Sequence, residues 1–236
     1  MNSTKNIFLP GAGQQFKHLK ENINLKEKRV LIIGSNSEQV GMMFLREDAA
    51  SANIIVDDHD SLMNSRFILK DESIPVRLME YDNTDFNNSY FDLVYSQGGI
   101  SSRFRNKIIK EIKRILKPGG ILSAGEIVSL QIPVPEFIKD IWEADSIYPL
   151  QLETINNYYT ERGFELIAEK DLSASLKEFY NSSKILLMKH IVELSESEKS
   201  YYKKLIKKIN HEADAYLKLG GEKYIGFVSL VLRKES

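Results

Sequence analysis

The sequence predicts an α/β protein built on a doubly wound sheet, mostly parallel with an antiparallel last strand and carrying a helical insertion. Three observations predict it. Short apolar runs alternate with amphipathic helical stretches from residue 29 to residue 170. A turn of small residues, Gly34-Ser35-Asn36-Ser37, joins the first apolar run to the first such helix, at the strand end where sheets of this kind gather ligands. Lys117-Pro118-Gly119-Gly120 stops a strongly amphipathic helix just ahead of a further apolar run, because proline has no amide donor and glycine permits the turn.

The elements follow in order. Residues 30–34 form the first strand, and Val40, Met43 and Phe44 mark one face of the helix after its turn. Residues 53–57 are the second strand, 61–69 a helix, 75–80 the third strand and 90–96 the fourth. The next helix places Ile108, Ile109, Ile112, Ile115 and Leu116 on one stripe with charged residues opposite, then yields to a fifth strand over 121–128. Pro149 precedes a helix over 151–162, Gly163 stands where a left-handed cap ends it, and 164–169 is the sixth strand. From 173 to 219 the pattern is helical. There Ser195-Glu196-Ser197-Glu198 reads as a capping box, opening a helix whose apolar face carries Tyr202, Leu205, Ile206, Ile209, Ala213, Tyr216 and Leu217. After Gly220-Gly221, residues 224–233 form a last strand that pairs with the sixth as an edge hairpin. The expectation is a single domain over 1–236, with an amino-terminal helical segment over 1–27 entered through Gly11-Ala12-Gly13.

Composition narrows the function. At 236 residues, 42% of them hydrophobic, the chain can bury a substantial core. Its 32 basic and 33 acidic residues give a formal charge of -1, so no global field recruits nucleic acid or an anionic membrane. The lysines at 203, 204, 207 and 208 read as a solvated helix face. The absence of cysteine excludes disulfides, thiolate metal sites and a thiol nucleophile, and His18, His59, His190 and His211 share no ligand spacing, so no metal is expected. Without a signal-peptide core or a membrane-length apolar run, the expectation is a cytoplasmic protein with a small-molecule partner. The insertion is then a lid or a homodimer surface.

The acids decide the ligand. Asp57-Asp58 close the second strand, where a carboxylate can accept both ribose hydroxyls of a nucleoside. Asp82 follows the third strand, placed to accept from an adenine amino group while the amide of Asn83 meets the ring. A dinucleotide would need Gly-x-Gly-x-x-Gly at the turn, whereas Glu38 here would repel a pyrophosphate. An adenosine ligand without phosphates meets no such repulsion, which favours S-adenosylmethionine over NAD.

These pieces resemble the class I S-adenosylmethionine-dependent methyltransferases over roughly residues 27–170. VLIIGSNSE at 30–38 stands where the family has a VLDIGCGTG-like opening, and Asp57, Asp82, FDLV at 91–94 and LKPGG at 116–120 follow in the family's order. The stretch 133–164 looks most like the small-molecule branch. The resemblance implies a Rossmann-like fold, S-adenosylmethionine as cofactor and S-adenosylhomocysteine as product. It also implies binding by Gly34, Ser35, Asn36, Asp57, Asp58, Asp82, Asn83 and Ser96. The sequence departs from the family at Ile32, where an acid holds the methionine ammonium, and at Asn36 and Glu38, where glycines stand. Asparagine tolerates left-handed backbone, so Asn36 can keep the turn, and Glu38 is a candidate replacement charge. A degenerate relative with a binding or scaffold role, and then an NAD-dependent oxidoreductase, are the alternative readings. Ser96 and Gln97 are candidates to touch cofactor or substrate. Trp142, Tyr148, Tyr158 and Tyr159 are pocket or core aromatics, Glu126 and His59 candidate bases, and no catalytic residue is assigned.

Overall fold

The computed structural model describes residues 7–69 and 74–235. Eight strands form one sheet: β1 (Arg29–Ile33), β2 (Ser51–Val56), β3 (Val76–Leu78), β4 (Phe91–Gln97), β5 (Leu116–Ser129), β6 (Leu150–Gln151), β7 (Phe164–Asp171) and β8 (Ile225–Lys234). Their order is β3-β2-β1-β4-β5-β8-β7, with β6 paired to the end of β5. Only β8 runs antiparallel to its neighbours. The nine α-helices among the described residues are α1 (Gln14–Asn22), α2 (Glu38–Arg46), α3 (His59–Leu69), α4 (Arg105–Ile115), α5 (Glu136–Ala144), α6 (Ile155–Thr160), α7 (Leu176–Glu193), α8 (Glu196–Tyr201) and α9 (Lys203–Lys218).

The apolar strands read as they do because helices cover both faces of the sheet. In β1, Leu31 and Ile33 pack with Ile108, Ile109 and Ile112 of α4, while Val30 and Ile32 pack with Phe16, Val40 and Phe44 of α1 and α2. A third cluster joins the insertion to the sheet through Trp142, Leu176, Tyr216 and Phe227. Every crossover on the parallel side leaves its loop at the carboxyl ends of β1, β2, β3 and β4, where the acids and the glycine turn converge.

Several elements differ from the sequence-based expectation. The last strand lies inside the sheet, between β5 and β7, and the sixth takes the edge; residues 225–232 are all buried, which an interior position requires. The helix over 151–162 shortens to α6 because Leu150 and Gln151 pair with β5. Helix α5 was not anticipated. Pro118-Gly119-Gly120 lies within β5 as an irregularity, Gly119 taking φ 69 where the register shifts against β4. The capping box is present at Ser195 and Glu198, but it opens the short α8, and α9 follows as a separate helix. On α9, Ala213 and Tyr216 are buried, while Tyr202, just ahead of it, is 42% exposed; the side chain of Leu205, like residues 1–6 of the amino-terminal segment, lies outside the described residues. Among the described residues no helix is long and apolar enough to cross a membrane.

Candidate functional site

The turn after β1 keeps its shape with one glycine. Gly34 takes φ 123 and donates its amide to Ile55 O at 3.1 Å, a backbone state that a side chain resists. Asn36 takes φ 59, the left-handed state its residue type tolerates. Ile32 is fully buried between Ile54 and Tyr95 on the neighbouring strands. Glu38 does not face the turn's mouth as a replacement charge. It is buried in the first turn of α2 and accepts a hydrogen bond from Ser65 of α3, so its carboxylate is committed between two helices.

The two acids named for the nucleoside share one cleft. A hollow of about 650 Å³ at the carboxyl ends of β2, β3 and β4 is lined by Asp57, Tyr81, Asp82, Gly99, Phe104 and Tyr148, together with the basic Arg103 and Lys107. Tyr81 donates its hydroxyl to Asp57 Oδ1 at 3.1 Å. Burial and the Asp57 carboxylate push the Tyr81 phenol well above its usual range, which keeps it a donor. Asp57 retains acceptor capacity for a further partner, since an ionised carboxylate accepts about four hydrogen bonds. The Asp82 turn is held from below. Glu111 of α4 accepts from the Thr84 amide at 2.9 Å and its hydroxyl at 2.5 Å, and Arg114 donates to Thr84 O at 3.1 Å and Phe86 O at 2.7 Å. Burial opposes ionisation of Glu111, but hydrogen bonds from Arg114 and Thr84 hold its carboxyl below the usual range.

Other named residues have different tasks. Asp58 caps α3, accepting the Ser61 amide at 2.8 Å, and those hydrogen bonds lower its pKa. The Asn83 amide closes its own turn on Glu80 O at 3.3 Å and is not held out for an adenine ring. Gly34, Ser35 and Asn36 stand beside the cleft and do not line it; a methyl group added to Gly34 would come within 4.0 Å of Gly99 Cα. Ser96 is buried, its hydroxyl unpartnered beneath Gly99, so it does not line the cleft. Gln97 turns to the amino-terminal segment, donating to Pro10 O at 2.6 Å and Ala12 O at 2.9 Å. His59 is exposed at the start of α3, away from the cleft lining.

Glu126 is a structural hub and not an available base. Its two oxygens accept from Arg105 Nε at 3.0 Å and Nη2 at 3.2 Å, from the Tyr159 hydroxyl at 2.5 Å and from the Ser101 hydroxyl at 2.5 Å. Arg105 Nη2 also donates to Tyr148 O at 2.6 Å, and the Tyr148 amide donates to Ser101 O at 2.9 Å. Burial alone would lower the Arg105 pKa, but the charge and hydrogen bonds of Glu126 raise it. One buried ion pair thereby locks β5, the loop into α4 and the Tyr148 loop together around the cleft. Of the four aromatics, Tyr148 lines the cleft, Tyr159 and Trp142 are core, and Tyr158 lies beneath Arg162 at 3.6 Å. Among the described residues no cluster of three or more His, Asp or Glu is placed to hold a metal.

Comparison with known proteins agrees with this geometry. Residues 11–124 match a family described as a methyltransferase domain. Over those residues the chain is similar to a methyltransferase domain, and its fold is that of solved methyltransferases. Phosphoethanolamine N-methyltransferase 2 of Haemonchus contortus, solved with phosphomonomethylethanolamine and S-adenosylhomocysteine, superposes with a TM-score of 0.78 at 16% identity, over 98% of this chain and 55% of its own. A cyclopropane synthase from Mycobacterium tuberculosis gives 0.74 at 14% identity, over 94% and 85%. The [4+2]-cyclase SpnF gives 0.73 at 16%, over 93% and 79%. At these identities the likeness is one of fold. No curated protein sequence matches the chain at comparable significance. The methyltransferase sheet, with its antiparallel strand inserted next to β5, is the one described above.

Proposed function

We propose that this methyltransferase domain transfers a methyl group from S-adenosylmethionine to a small-molecule acceptor. The observation that carries the reading is that Asp57 and Asp82 both line a single cleft at the carboxyl ends of the strands. The residues present fit a nucleoside: Asp57 would take the ribose hydroxyls and Asp82 the adenine amino group, and the left-handed Asn36 keeps the turn after β1 open in place of a glycine. Bound there, the cofactor supplies a methyl group on a sulfonium centre, ready for in-line displacement.

The chain's own part is binding, alignment and exclusion of water, which is where the rate of such a displacement is gained. Phe104 and Tyr148 give the cleft apolar walls, and the Arg105–Glu126 pair fixes the loops that carry them. No side chain in the cleft is required as a base when the acceptor is already nucleophilic. The solved relative with phosphomonomethylethanolamine illustrates a small acceptor on this fold.

The second reading, a binding or scaffold protein on the same fold, is favoured by one observation. Neither Ile32 nor Glu38 offers a carboxylate to a methionine ammonium at the turn after β1. Calorimetric titration with S-adenosylhomocysteine separates the two. The methyltransferase reading expects saturable binding that weakens about tenfold or more in Asp57→Ala and Asp82→Ala, since a hydrogen bond to a charged group contributes roughly 1.5–3 kcal/mol. No binding by the parent chain at millimolar ligand would sink it.

A further inference from the structure

A second hollow, remote from the residues of the cleft, lies under the insertion between α7, α9 and the amino-terminal segment. Its volume is about 340 Å³, within the range of small-ligand sites, and Phe8, Phe179, Tyr180, Leu186, Ile209 and Glu212 line it. The aromatic wall is continuous. Phe8 and Phe179 stand 5.6 Å apart between ring centroids, Phe179 and Tyr180 5.3 Å, and Tyr180 stacks on Tyr216 at 4.6 Å. Glu212 is the one carboxyl in this lining, and Lys208, the cation that acts on it, is also engaged elsewhere: it pairs with Asp145 and donates to Ala144 O at 3.1 Å.

The groups around Glu212 explain its state. Asp145, at the end of α5, shares a hydrogen bond with it; Lys208 comes from α9 itself, and Tyr180 and His190 from α7, while Lys184 of α7 is paired with Asp214 and Phe8 brings no charge. Burial first, then the Asp145 hydrogen bond and charge, raise the Glu212 carboxyl to about 8, with Lys208 opposing. A carboxyl among aromatic rings, without a cation of its own, matches one kind of guest. Aromatic faces attract an organic cation through their quadrupole, and such a cation supplies the missing counter-charge. A metal ion does not fit, because Glu212 is the one carboxyl of the lining, and its neighbour Asp145 is paired with Lys208, so no oxygen shell is on offer.

We propose that this hollow is a binding site for an organic ammonium ion, held by Glu212 and the aromatic wall, independent of the cofactor cleft. The guest ionises Glu212 as it binds, so the site releases a proton on loading at neutral pH. Affinity for a permanent cation therefore rises with pH by about tenfold from pH 7 to pH 9, following the ionised fraction.

Choline and its uncharged carbon isostere, 3,3-dimethylbutan-1-ol, test this by calorimetry without cofactor. Choline should bind, about tenfold more tightly at pH 9 than at pH 7, and the alcohol should bind weakly and without pH dependence. Glu212→Gln keeps an amide that can donate to Asp145, so the contact between α9 and α5 survives, while choline binding at pH 9 should fall to the level of the alcohol. Leu186→Trp, which fills the hollow, should also abolish choline binding with the unfolding temperature unchanged. Equal binding of the two probes, or undiminished choline binding in Glu212→Gln, overturns the proposal. Because no cofactor is present, either result leaves the methyltransferase reading untouched.

Discussion

Replacing Arg105 by Met leaves Glu126 in the core with two hydroxyl partners and no cation. The side chains of the pair are 7% and 0% exposed, so solvent cannot take over the guanidinium's role. Methionine is flexible and similar in reach, which keeps the loss of packing small and isolates the loss of charge. Removing one partner of a buried ion pair destabilises by about 3–5 kcal/mol. The Ser101 and Tyr159 hydroxyls remain, which places the expected value near the low end, about 3 kcal/mol. For a chain of this length each kcal/mol lowers Tm by about 2–4 °C, so a fall of roughly 6–12 °C is expected at pH 8. The double variant is the sharper signature. Urea unfolding measures the loss at pH 8, and Arg105→Met combined with Glu126→Gln should restore most of it, because a neutral amide in the core needs no cation. A loss below about 1 kcal/mol at pH 8, or a double variant no more stable than Arg105→Met alone, would refute the assignment of the pair as the lock on the cleft loops.

Three further outcomes are expected. Glu111→Ala should lower stability by about 1–3 kcal/mol and weaken S-adenosylhomocysteine binding without touching the ligand, because it releases the Thr84 amide and hydroxyl that hold the Asp82 turn. Burial, followed by Lys170, lowers the His18 pKa against an opposing Glu21, so its contribution to stability is complete above about pH 6.5 and is lost as pH falls toward the folded pKa; His18→Asn should flatten the acid limb of a plot of Tm against pH between about 5 and 7. Gly99→Ala brings a β-carbon to 3.1 Å from both Ile33 O and Ser96 Oγ, and overpacking of this kind costs about 1–3 kcal/mol, with weaker ligand binding as the β4 loop shifts.

What the sequence made legible follows from the range of each signal. The order of strands and helices through β5 rests on local periodicity, and the turns rest on residues whose backbone needs are local too: Gly34 and Gly163 at positive φ, Asn36 beside them. The interior place of β8 depended on pairing across a long insertion, which periodicity does not encode, although its mostly apolar run from Ile225 to Leu232, interrupted by Gly226 and Ser229, was consistent with an interior strand. The site divides in the same way. Asp57 and Asp82 are placed by strand ends and were readable from order alone. Glu38 was misjudged because its partner, Ser65, belongs to another helix, and only the fold brings the two together. The Arg105–Glu126 pair was missed, yet it left a trace: a glutamate inside the apolar run of β5 and an arginine at the start of α4, each a charge where the pattern buries its neighbours.

That division bears on how far a shared fold carries toward function. A [4+2]-cyclase shares this fold with N-methyltransferases, so the sheet and its order do not by themselves choose a reaction. What chooses is the placement of a few polar groups at the strand ends, and here those groups point in two directions. Asp57 and Asp82 line one cleft, as the proposed nucleoside site requires, while the turn after β1 follows a buried Ile32 and has its nearest carboxylate, Glu38, bound by Ser65. Such a site should hold the adenosine half of the ligand better than the methionine half. The affinity ratio between adenosine and S-adenosylhomocysteine reads this directly: a ratio near one assigns the binding to the two aspartates, and a large preference for S-adenosylhomocysteine would show that another group of the lining, such as Arg103 or Lys107, holds the methionine end.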